Sequence, residues 1–211
     1  MEFLDEKILA LRNEMREQER HEEAVQAETV YPIDLTQDFI VINNKTVKIQ
    51  TTTLLNSSMT LRMPASFFEM SKELAALKYP SEHRPNIIFT DETTTVNLAF
   101  SHTTMELMDD EVEQFRDEMV EGMEEMQPNA QWLDSGTSII QEKPISYFSV
   151  ITPAIDGRLF NLMFFCALNN YAFIGTFNCL EGDFDTWQPI ALGIIDSIQF
   201  TQRQDKGGIV Q

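Results

Sequence analysis

The stretch "RLFNLMFFCALNNYAFIGTFNC", residues 158–179, decides the fold of this chain of 211 residues. It consists mostly of aromatic and aliphatic side chains, contains no His, Asp, Glu, Lys or Ser, and carries charge only at Arg158. Asn169-Asn170 in its middle is a two-residue turn signal between two β-branched and aromatic runs. The sequence therefore predicts an antiparallel hairpin in which both strands are unusually apolar.

Alternation along this hairpin assigns its residues to two faces of a sheet. Face A carries Phe160, Leu162, Phe164, Cys166, Leu168, Tyr171, Phe173 and Phe177. Face B carries Leu159, Met163, Phe165, Ala167, Ala172, Ile174 and Leu180, and only Asn161, Thr176 and Asn178 interrupt it. A sheet that faced water on one side would show polar alternation there. Since burying each such side chain contributes roughly 1.5–3 kcal/mol, we expect helices to cover both faces.

The segments around the hairpin supply the remaining layers of the predicted fold. Strand patterns occupy 38–52, 59–64, 85–102 and 145–155, with turn signals at Asn43-Asn44-Lys45 and around Asp91-Glu92. Helical patterns occupy 66–78, with Ser66 as N-cap, 109–126, and 185–198. The predicted fold class is α+β: an antiparallel sheet covered by helices on both faces, an α/β/α sandwich, with an extra N-terminal helix.

Charge and periodicity divide the chain into three parts. Residues 1–28 are predicted to form a charged helix, 31–200 a single α+β domain, and 201–211 a flexible tail. Leu4, Ile8, Leu11 and Met15 make one narrow apolar stripe on the first helix. The stripe is our candidate partner-binding site, either for another protein or for self-association; the alternative is a helix that is docked on its own domain or partly frayed.

The overall composition limits the classes of partner. Lys and Arg number 15 against 34 Asp and Glu, a formal net charge of -19. Such a surface repels the phosphates of nucleic acid and the anionic lipids of a membrane, so we expect neither as a ligand. It favours solubility, and it also favours association with a basic protein. No run of eighteen apolar residues and no signal peptide is evident, so a cytoplasmic location is expected.

Residues that carry chemistry are sparse and scattered. The three histidines, His21, His83 and His102, lack metal-ligand spacing, and no glycine-rich phosphate loop or nucleophile motif occurs. In the predicted register Cys166 and Cys179 lie about 20 Å apart, so we expect two small buried hydrophobes and no disulfide. The sequence predicts no catalytic residue, no cofactor and no metal site.

Three methionines on the second helical pattern leave two interpretations open. Met119, Met123 and Met126 continue the stripe of Val112 and Phe115 along one helix face. Such a stripe is typical of ordinary core packing against a sheet. It is also typical of an adaptable binding surface, because methionine is flexible and polarizable.

The order of these elements, the "DGRLFNL" hairpin at 156–162 and the closing "DSIQF" at 196–200 resemble the Mog1/PsbP-like fold group, which includes the DcrB-like proteins. The resemblance covers roughly residues 31–200; the N-terminal helix lies outside it, and the export signal that DcrB-like members usually carry is missing. Members of the group are mostly non-enzymatic and bind proteins, as small-GTPase regulators, photosystem accessory subunits or secretion chaperones. No binding residue of the group can be matched to a position of this chain.

Two functional hypotheses follow. The first is a non-catalytic, protein-binding accessory or chaperone-like domain. The alternative is a small-molecule-binding protein or a hydrolase of unfamiliar type that uses a pocket between the sheet and a helix. A closed cavity that contains His102 or converging acids would favour the alternative.

Overall fold

The strands form two antiparallel sheets in the computed structural model, which describes residues 31–81, 84–154 and 157–201. The smaller sheet has the order β1 (Phe39–Ile42), β2 (Lys45–Leu54), β3 (Met59–Pro64) and β11 (Gln199–Phe200). The larger sheet has the order β4 (Phe68–Glu69), β5 (Ile87–Thr90), β6 (Asn97–Glu106), β10 (Tyr171–Leu180), β9 (Gly157–Leu168), β8 (Lys143–Ala154) and β7 (Gln131–Ile140). The α-helices of the described residues are α1 (Lys72–Lys78), α2 (Val112–Met126) and α3 (Phe184–Asp196). The predicted α+β class is confirmed.

The hairpin of β9 and β10 lies near the middle of the larger sheet and has the predicted register. Cys166 pairs with Phe173 and Cys179 pairs with Phe160. The turn residues Asn169 and Asn170 have φ values of 54° and 64°. This left-handed backbone is the one that a two-residue hairpin turn requires, and asparagine adopts it more readily than most residues do.

Face A of the hairpin is covered by α3 and by the smaller sheet. Phe160, Phe164 and Phe173 are at most 1% exposed. They belong to one core cluster with Ile190, Ile194 and Ile195 of α3 and with Met59, Leu61 and Met63 of β3. Most of the largest buried side chains of the described residues therefore lie between the two sheets and α3.

Face A includes one position where only glycine fits. Gly175 of β10 lies opposite Phe164 of β9, and a Cβ atom at Gly175 would overlap the Phe164 ring. The ring occupies this space and makes edge contacts with Phe100 at 6.4 Å between centroids. Close packing of the aromatic core thus depends on the missing side chain of Gly175.

Face B is covered by α2 on one side and by α1 on the other. Phe115 of α2 packs edge-on against Phe165 of β9, with 5.5 Å between ring centroids, and both belong to a cluster with Phe148 of β8. On the other side, Ala75 of α1 packs with Ile88 of β5 and Ala99 of β6. The expectation that helices cover both faces is confirmed, but the two helices leave part of face B half exposed.

Two sequence-based assignments were wrong. The helix predicted from Ser66 begins at Lys72, and Ser71 is its N-cap, accepting a hydrogen bond from Leu74 N through Oγ at 3.2 Å. The preceding segment forms edge strand β4 because it finds a partner in β5, and tertiary pairing overrides a local capping signal. Strand β7 was missed, because its polar centre "DSGTS" hides the alternation.

Several predictions concern residues outside the described ranges. The N-terminal helix, with Leu4, Ile8, Leu11 and Met15, and the tail from 202 onward are among them, so they stay predictions. Within the described ranges, no helix is long and apolar enough to cross a bilayer.

Candidate functional site

Between α1 and α2, face B carries a band of five half-buried residues on β9 and β10, which we call the open strip; two of them, Met163 and Ile174, also pack against the core cluster under α2. Its members are Asn161, Met163, Ile174, Thr176 and Asn178. They are cross-strand neighbours in the register: Asn161 pairs with Asn178, and Met163 pairs with Thr176. The open strip therefore presents amide, hydroxyl and apolar groups side by side on a rigid surface.

A hydrogen-bonded network joins the open strip to α1. Asn97 of β6 is 1% exposed, and its Nδ2 donates to Asn178 Oδ1 at 2.8 Å. Its Oδ1 accepts from Thr90 Oγ1 at 2.9 Å and from Lys78 Nζ at 3.1 Å. A buried amide with satisfied partners is held in one orientation. The network thus fixes the Asn178 side chain at one end of the strip.

Tyr79 and Lys78, at the end of α1, form the wall of the strip beside this network. Burial raises the pKa of Tyr79, and a side-chain hydrogen bond with Asn178 opposes that rise. Lys78 is an exposed residue, but its Nζ contacts Thr94 O and Asn97 Oδ1, and desolvation lowers its pKa while Asp91 opposes the effect. The Lys78 ammonium group is therefore engaged within the fold.

The opposite wall is the flank of α2 that carries Gly122. Arg116 marks the other flank, because its Nη1 donates to Gly136 O and Thr137 Oγ1 of β7, both at 3.4 Å. Since each helical residue advances about 100°, Gly122 lies on the flank away from Arg116, toward β10, whereas the exposed Glu118 and Glu125 lie further round toward solvent. A Cβ atom at Gly122 would meet nothing within 4 Å. The flank of α2 at Gly122 therefore has free space beside it.

The width of this space follows from the strand spacing. α1 packs on β5 and β6, and α2 packs on β8 and β9, so their centres are separated by three strand intervals, about 14 Å. A helix with side chains is about 10 Å across, which leaves roughly 4 Å of uncovered sheet. We call this gap between α1 and α2 the trough; it is too narrow for a third helix.

The polar groups of the open strip are only partly used by the rest of the domain. Asn161 Nδ2 donates to Thr152 Oγ1 at 3.0 Å and to Leu159 O at 3.1 Å. Thr176 Oγ1 and Asn161 Oδ1 have no hydrogen-bond partner among the described residues. Half-buried donors and acceptors of this kind bind water or a ligand. Because neither amides nor a threonine hydroxyl titrate near neutral pH, the strip is suited to binding.

Two joined surface depressions lie elsewhere, at the C-terminal end of α3. They have volumes of about 360 Å³ and 240 Å³ and share Thr36, Asp196 and Ser197. Arg62 lines the larger one, but its Nη2 already donates to Asp38 Oδ1 at 3.2 Å and to Gln37 O at 3.1 Å. Its buried Nε has no partner among the described residues.

Two carboxyl groups in these depressions have pKa values that are shifted in opposite directions. Hydrogen bonds from Thr36 lower the pKa of Asp34, and desolvation raises the pKa of Asp196. Asp34 Oδ1 accepts hydrogen bonds from Thr36 N at 2.8 Å and from Thr36 Oγ1 at 2.6 Å. His102 lines neither depression. The open strip, with its unpaired groups on a continuous sheet, is the stronger candidate.

Comparison with known proteins identifies the fold. The solution structure of cyanobacterial PsbP (CyanoP) from Synechocystis sp. PCC 6803 matches with a TM-score of 0.54 and 9% sequence identity, over 77% of this chain and 98% of that one. This chain has a Mog1/PsbP-like fold. LpqN of Mycobacterium tuberculosis, described as involved in cell envelope biogenesis, matches at a TM-score of 0.49 and 14% identity over 73% and 92% of the two chains. No protein-family model matches the chain, and no curated protein has a detectably similar sequence.

The structure of this Mog1/PsbP-like domain places most of the residues that the sequence singled out. His102 is half buried, its Nε2 lies 3.4 Å from Leu168 O, and its ring meets Tyr171 edge-on. Within the described ranges, no group of three His, Cys, Asp or Glu residues is arranged to hold a metal ion. Met119 and Met123 pack against the core cluster, as the core-packing interpretation of the methionine stripe expected. Met126, the third methionine of the stripe, is 74% exposed.

The open strip was the part of the Mog1/PsbP-like domain that sequence reasoning missed. Asn161, Thr176 and Asn178 were recognised as interruptions of face B, but the whole face was expected to be covered. The signal that would have located the site is their position: three polar residues of one face meet in adjacent rows of the same hairpin.

Both cysteines of the Mog1/PsbP-like domain should be unreactive in the native state. Cys166 and Cys179 are 0% exposed, and burial raises the pKa of each thiol to about 12. Because the thiolate is the reactive form, its population near pH 8 is very small. We expect Ellman's reagent to detect no thiol in the native chain and two after unfolding in denaturant. Fast reaction of one thiol in native conditions would contradict this packing.

Proposed function

We propose that this domain is a non-catalytic, protein-binding domain and that the open strip is its binding surface. The observation that carries the proposal is a pair of polar groups without partners among the described residues, Thr176 Oγ1 and Asn161 Oδ1, on the half-buried sheet surface between α1 and α2. The amide and hydroxyl groups on the floor of the trough bind and orient a ligand but do not supply a nucleophile or a proton acceptor near neutral pH. The ligand of this site is an extended segment of a partner protein.

The chemistry of the floor supports a polypeptide ligand. Thr176 Oγ1 and Asn161 Oδ1 offer hydrogen bonds to a peptide backbone, and Met163 and Ile174 offer apolar contacts on either side of them. A β-strand rises about 3.3 Å per residue, so the length from Ile174 to Asn178 is about 13 Å. The strip therefore contacts four to five residues of an extended chain.

The test measures, by fluorescence anisotropy, the binding of three labelled octapeptides to the full chain. The first peptide alternates valine with serine, the second alternates valine with lysine, and the third alternates valine with glutamate. Thr176→Phe fills the trough with a residue that strands accept, so we expect it to weaken binding of any peptide that binds by about tenfold or more. Gly122→Phe, which enters the trough from α2, should act in the same direction. Thr51→Phe, on exposed strand β2, is the matched control and should leave binding unchanged.

The outcomes separate cleanly once circular dichroism shows that each variant is folded. Weaker binding by both trough variants and not by Thr51→Phe supports the proposal. If none of the three peptides binds, or if the trough variants bind as well as the native chain, the open strip is not a site for extended polypeptides and the proposal is overturned.

A further inference from the structure

We infer that the open strip recognises a side-chain carboxamide, that of a glutamine or asparagine in the partner segment, through Asn178 Nδ2 and Asn161 Oδ1. This inference rests on the proposed function, since it concerns the ligand of the same site. It goes further by naming the chemical group that is bound and the two atoms that select it. The atom from Asn178 is a hydrogen-bond donor, and the atom from Asn161 is an acceptor.

The orientation of the Asn178 amide is set by a chain of hydrogen bonds that begins at Lys78. The Lys78 ammonium group can only donate, so the Asn97 atom that lies 3.1 Å from Nζ is the oxygen Oδ1. The other end of the Asn97 amide is therefore the donor Nδ2, which lies 2.8 Å from Asn178 Oδ1. Asn97 is 1% exposed, so its amide cannot exchange these partners for water. Asn178 consequently turns Oδ1 toward β6, and Nδ2 is the amide atom that Asn97 does not bind.

One N–H group of Asn178 Nδ2 is available to a ligand. A primary amide carries two N–H groups. The side-chain hydrogen bond with Asn178 lowers the pKa of Tyr79, as donation from Nδ2 to the phenol oxygen does, and this bond uses one of the two groups. Since Asn178 is half buried on the open strip, the second N–H group can be reached by a ligand bound there.

The Asn161 amide is oriented independently, by its own strand and by β8. A backbone carbonyl can only accept, so the Asn161 atom that lies 3.1 Å from Leu159 O is Nδ2. The same Nδ2 donates to Thr152 Oγ1 at 3.0 Å, and Oδ1 is the amide atom without a partner among the described residues. Within those residues, Arg62 Nε is the one buried side-chain nitrogen or oxygen that lacks a partner. Asn161 Oδ1 is therefore open to solvent.

The two amides present one donor and one acceptor side by side. Asn161 of β9 pairs directly with Asn178 of β10, and the Cβ atoms of such a pair are about 5 Å apart. A carboxamide has its oxygen and its N–H groups on one end, so it can satisfy both atoms at once. A carboxylate offers only acceptors, an ammonium group offers only donors, and a trans peptide group points its N–H and C=O in opposite directions. The pair therefore favours the side chain of glutamine or asparagine.

The experiment changes one residue of the serine octapeptide described above. Replacement of its second serine by glutamine, glutamate or methionine introduces side chains of similar length that differ in their hydrogen-bonding groups. We expect the glutamine peptide to bind the native chain about fivefold more tightly than the other two, because only glutamine satisfies both atoms of the pair. Fluorescence anisotropy with the full chain measures the three affinities.

The variant Asn178→Asp tests the donor directly. Its carboxylate still accepts from Asn97 Nδ2, but the atom that replaces Nδ2 also accepts, so glutamine should lose its advantage over methionine. Asn44→Asp is the matched control, because Asn44 is exposed in the turn between β1 and β2 and has a φ of 61° that aspartate also adopts. This control makes the same change of charge on another sheet and should keep the fivefold preference. A purely structural role of Asn178 would leave the ratio of the two affinities unchanged.

The results distinguish this inference from the proposed function, once circular dichroism shows that both variants are folded. A preference for glutamine that is lost in Asn178→Asp and kept in Asn44→Asp supports the inference. If the glutamine peptide binds no more tightly than the other two, and Thr176→Phe still weakens binding, the strip is a polypeptide site without carboxamide recognition and the inference alone fails. It also fails if Asn178→Asp keeps the preference or if Asn44→Asp loses it. If no peptide binds, both the inference and the proposed function fail.

Discussion

Replacing Gly193 by alanine should lower the free energy of unfolding by about 3 kcal/mol. Gly193 lies in α3, where a Cβ atom would overlap the backbone oxygen of Ile33 and approach Leu35 Cγ to 3.2 Å. The segment cannot move away without cost, because Ile33 N donates to Pro189 O at 2.9 Å and Leu35 is 2% exposed. A backbone neighbour cannot rotate aside as a side chain can. Urea unfolding monitored by circular dichroism measures the change.

Gly122→Ala is the matched control, since it makes the same chemical change in another helix. A Cβ atom at Gly122 has nothing within 4 Å. Alanine is favoured over glycine in a helix interior by about 0.8–1.0 kcal/mol, so this variant should be slightly more stable than the native chain. If both variants gained stability, the close approach of Ile33 to α3 would be wrong.

Phe164→Ala should be the most damaging single truncation on face A, with a loss of about 3–5 kcal/mol. Its side chain is 1% exposed and lies within 6.5 Å of the rings of Phe100 and Phe173, measured between centroids. Truncation leaves a cavity that aromatic neighbours on rigid strands cannot close. Phe39→Ala is the control of the same chemistry, because Phe39 is 55% exposed, and it should cost less than about 0.5 kcal/mol.

The contact between Phe164 and Gly175 supplies an independent check of the same core. Gly175→Ala forces the Phe164 ring out of its place and should destabilise the fold by about 1–3 kcal/mol. Phe164→Leu is smaller at the point of overlap, so the double variant should lose less than the sum of the two single losses. If the double variant lost as much unfolding free energy as the two single variants together, the two residues would not compete for space.

The central hairpin could be predicted from the sequence because the residues that determine it are close together in the chain. The Asn169-Asn170 turn fixes the register of β9 against β10, and a two-residue periodicity then assigns each side chain to a face. These two features were enough to predict that Cys166 pairs with Phe173. The resemblance to the Mog1/PsbP-like fold rested on the same hairpin and on the closing helix.

The elements that sequence reasoning missed depend on distant partners. Strand β4 forms because β5 lies beside it, and β7 forms because β8 does, although neither segment has a strong pattern of its own. The open strip depends on where α1 and α2 lie over face B, and no periodicity within β9 or β10 reports the position of a helix. Asn161, Thr176 and Asn178 were visible in the sequence; the space above them was not.

Strand β11 has a consequence for how the chain acquires its structure during synthesis. It pairs Gln199 with Thr60 and Phe200 with Met59, and Ser197 Oγ accepts from Arg62 N at 2.8 Å. The smaller sheet thus cannot be completed until the ribosome has added residues about 140 positions after the third strand, β3. Pairing over such a distance is slow, and β3 stays an unprotected edge until then. The nascent chain carries this sheet unfinished until residues 197–200 have been made, and its completion depends on the last turn of α3 and the residues just beyond it.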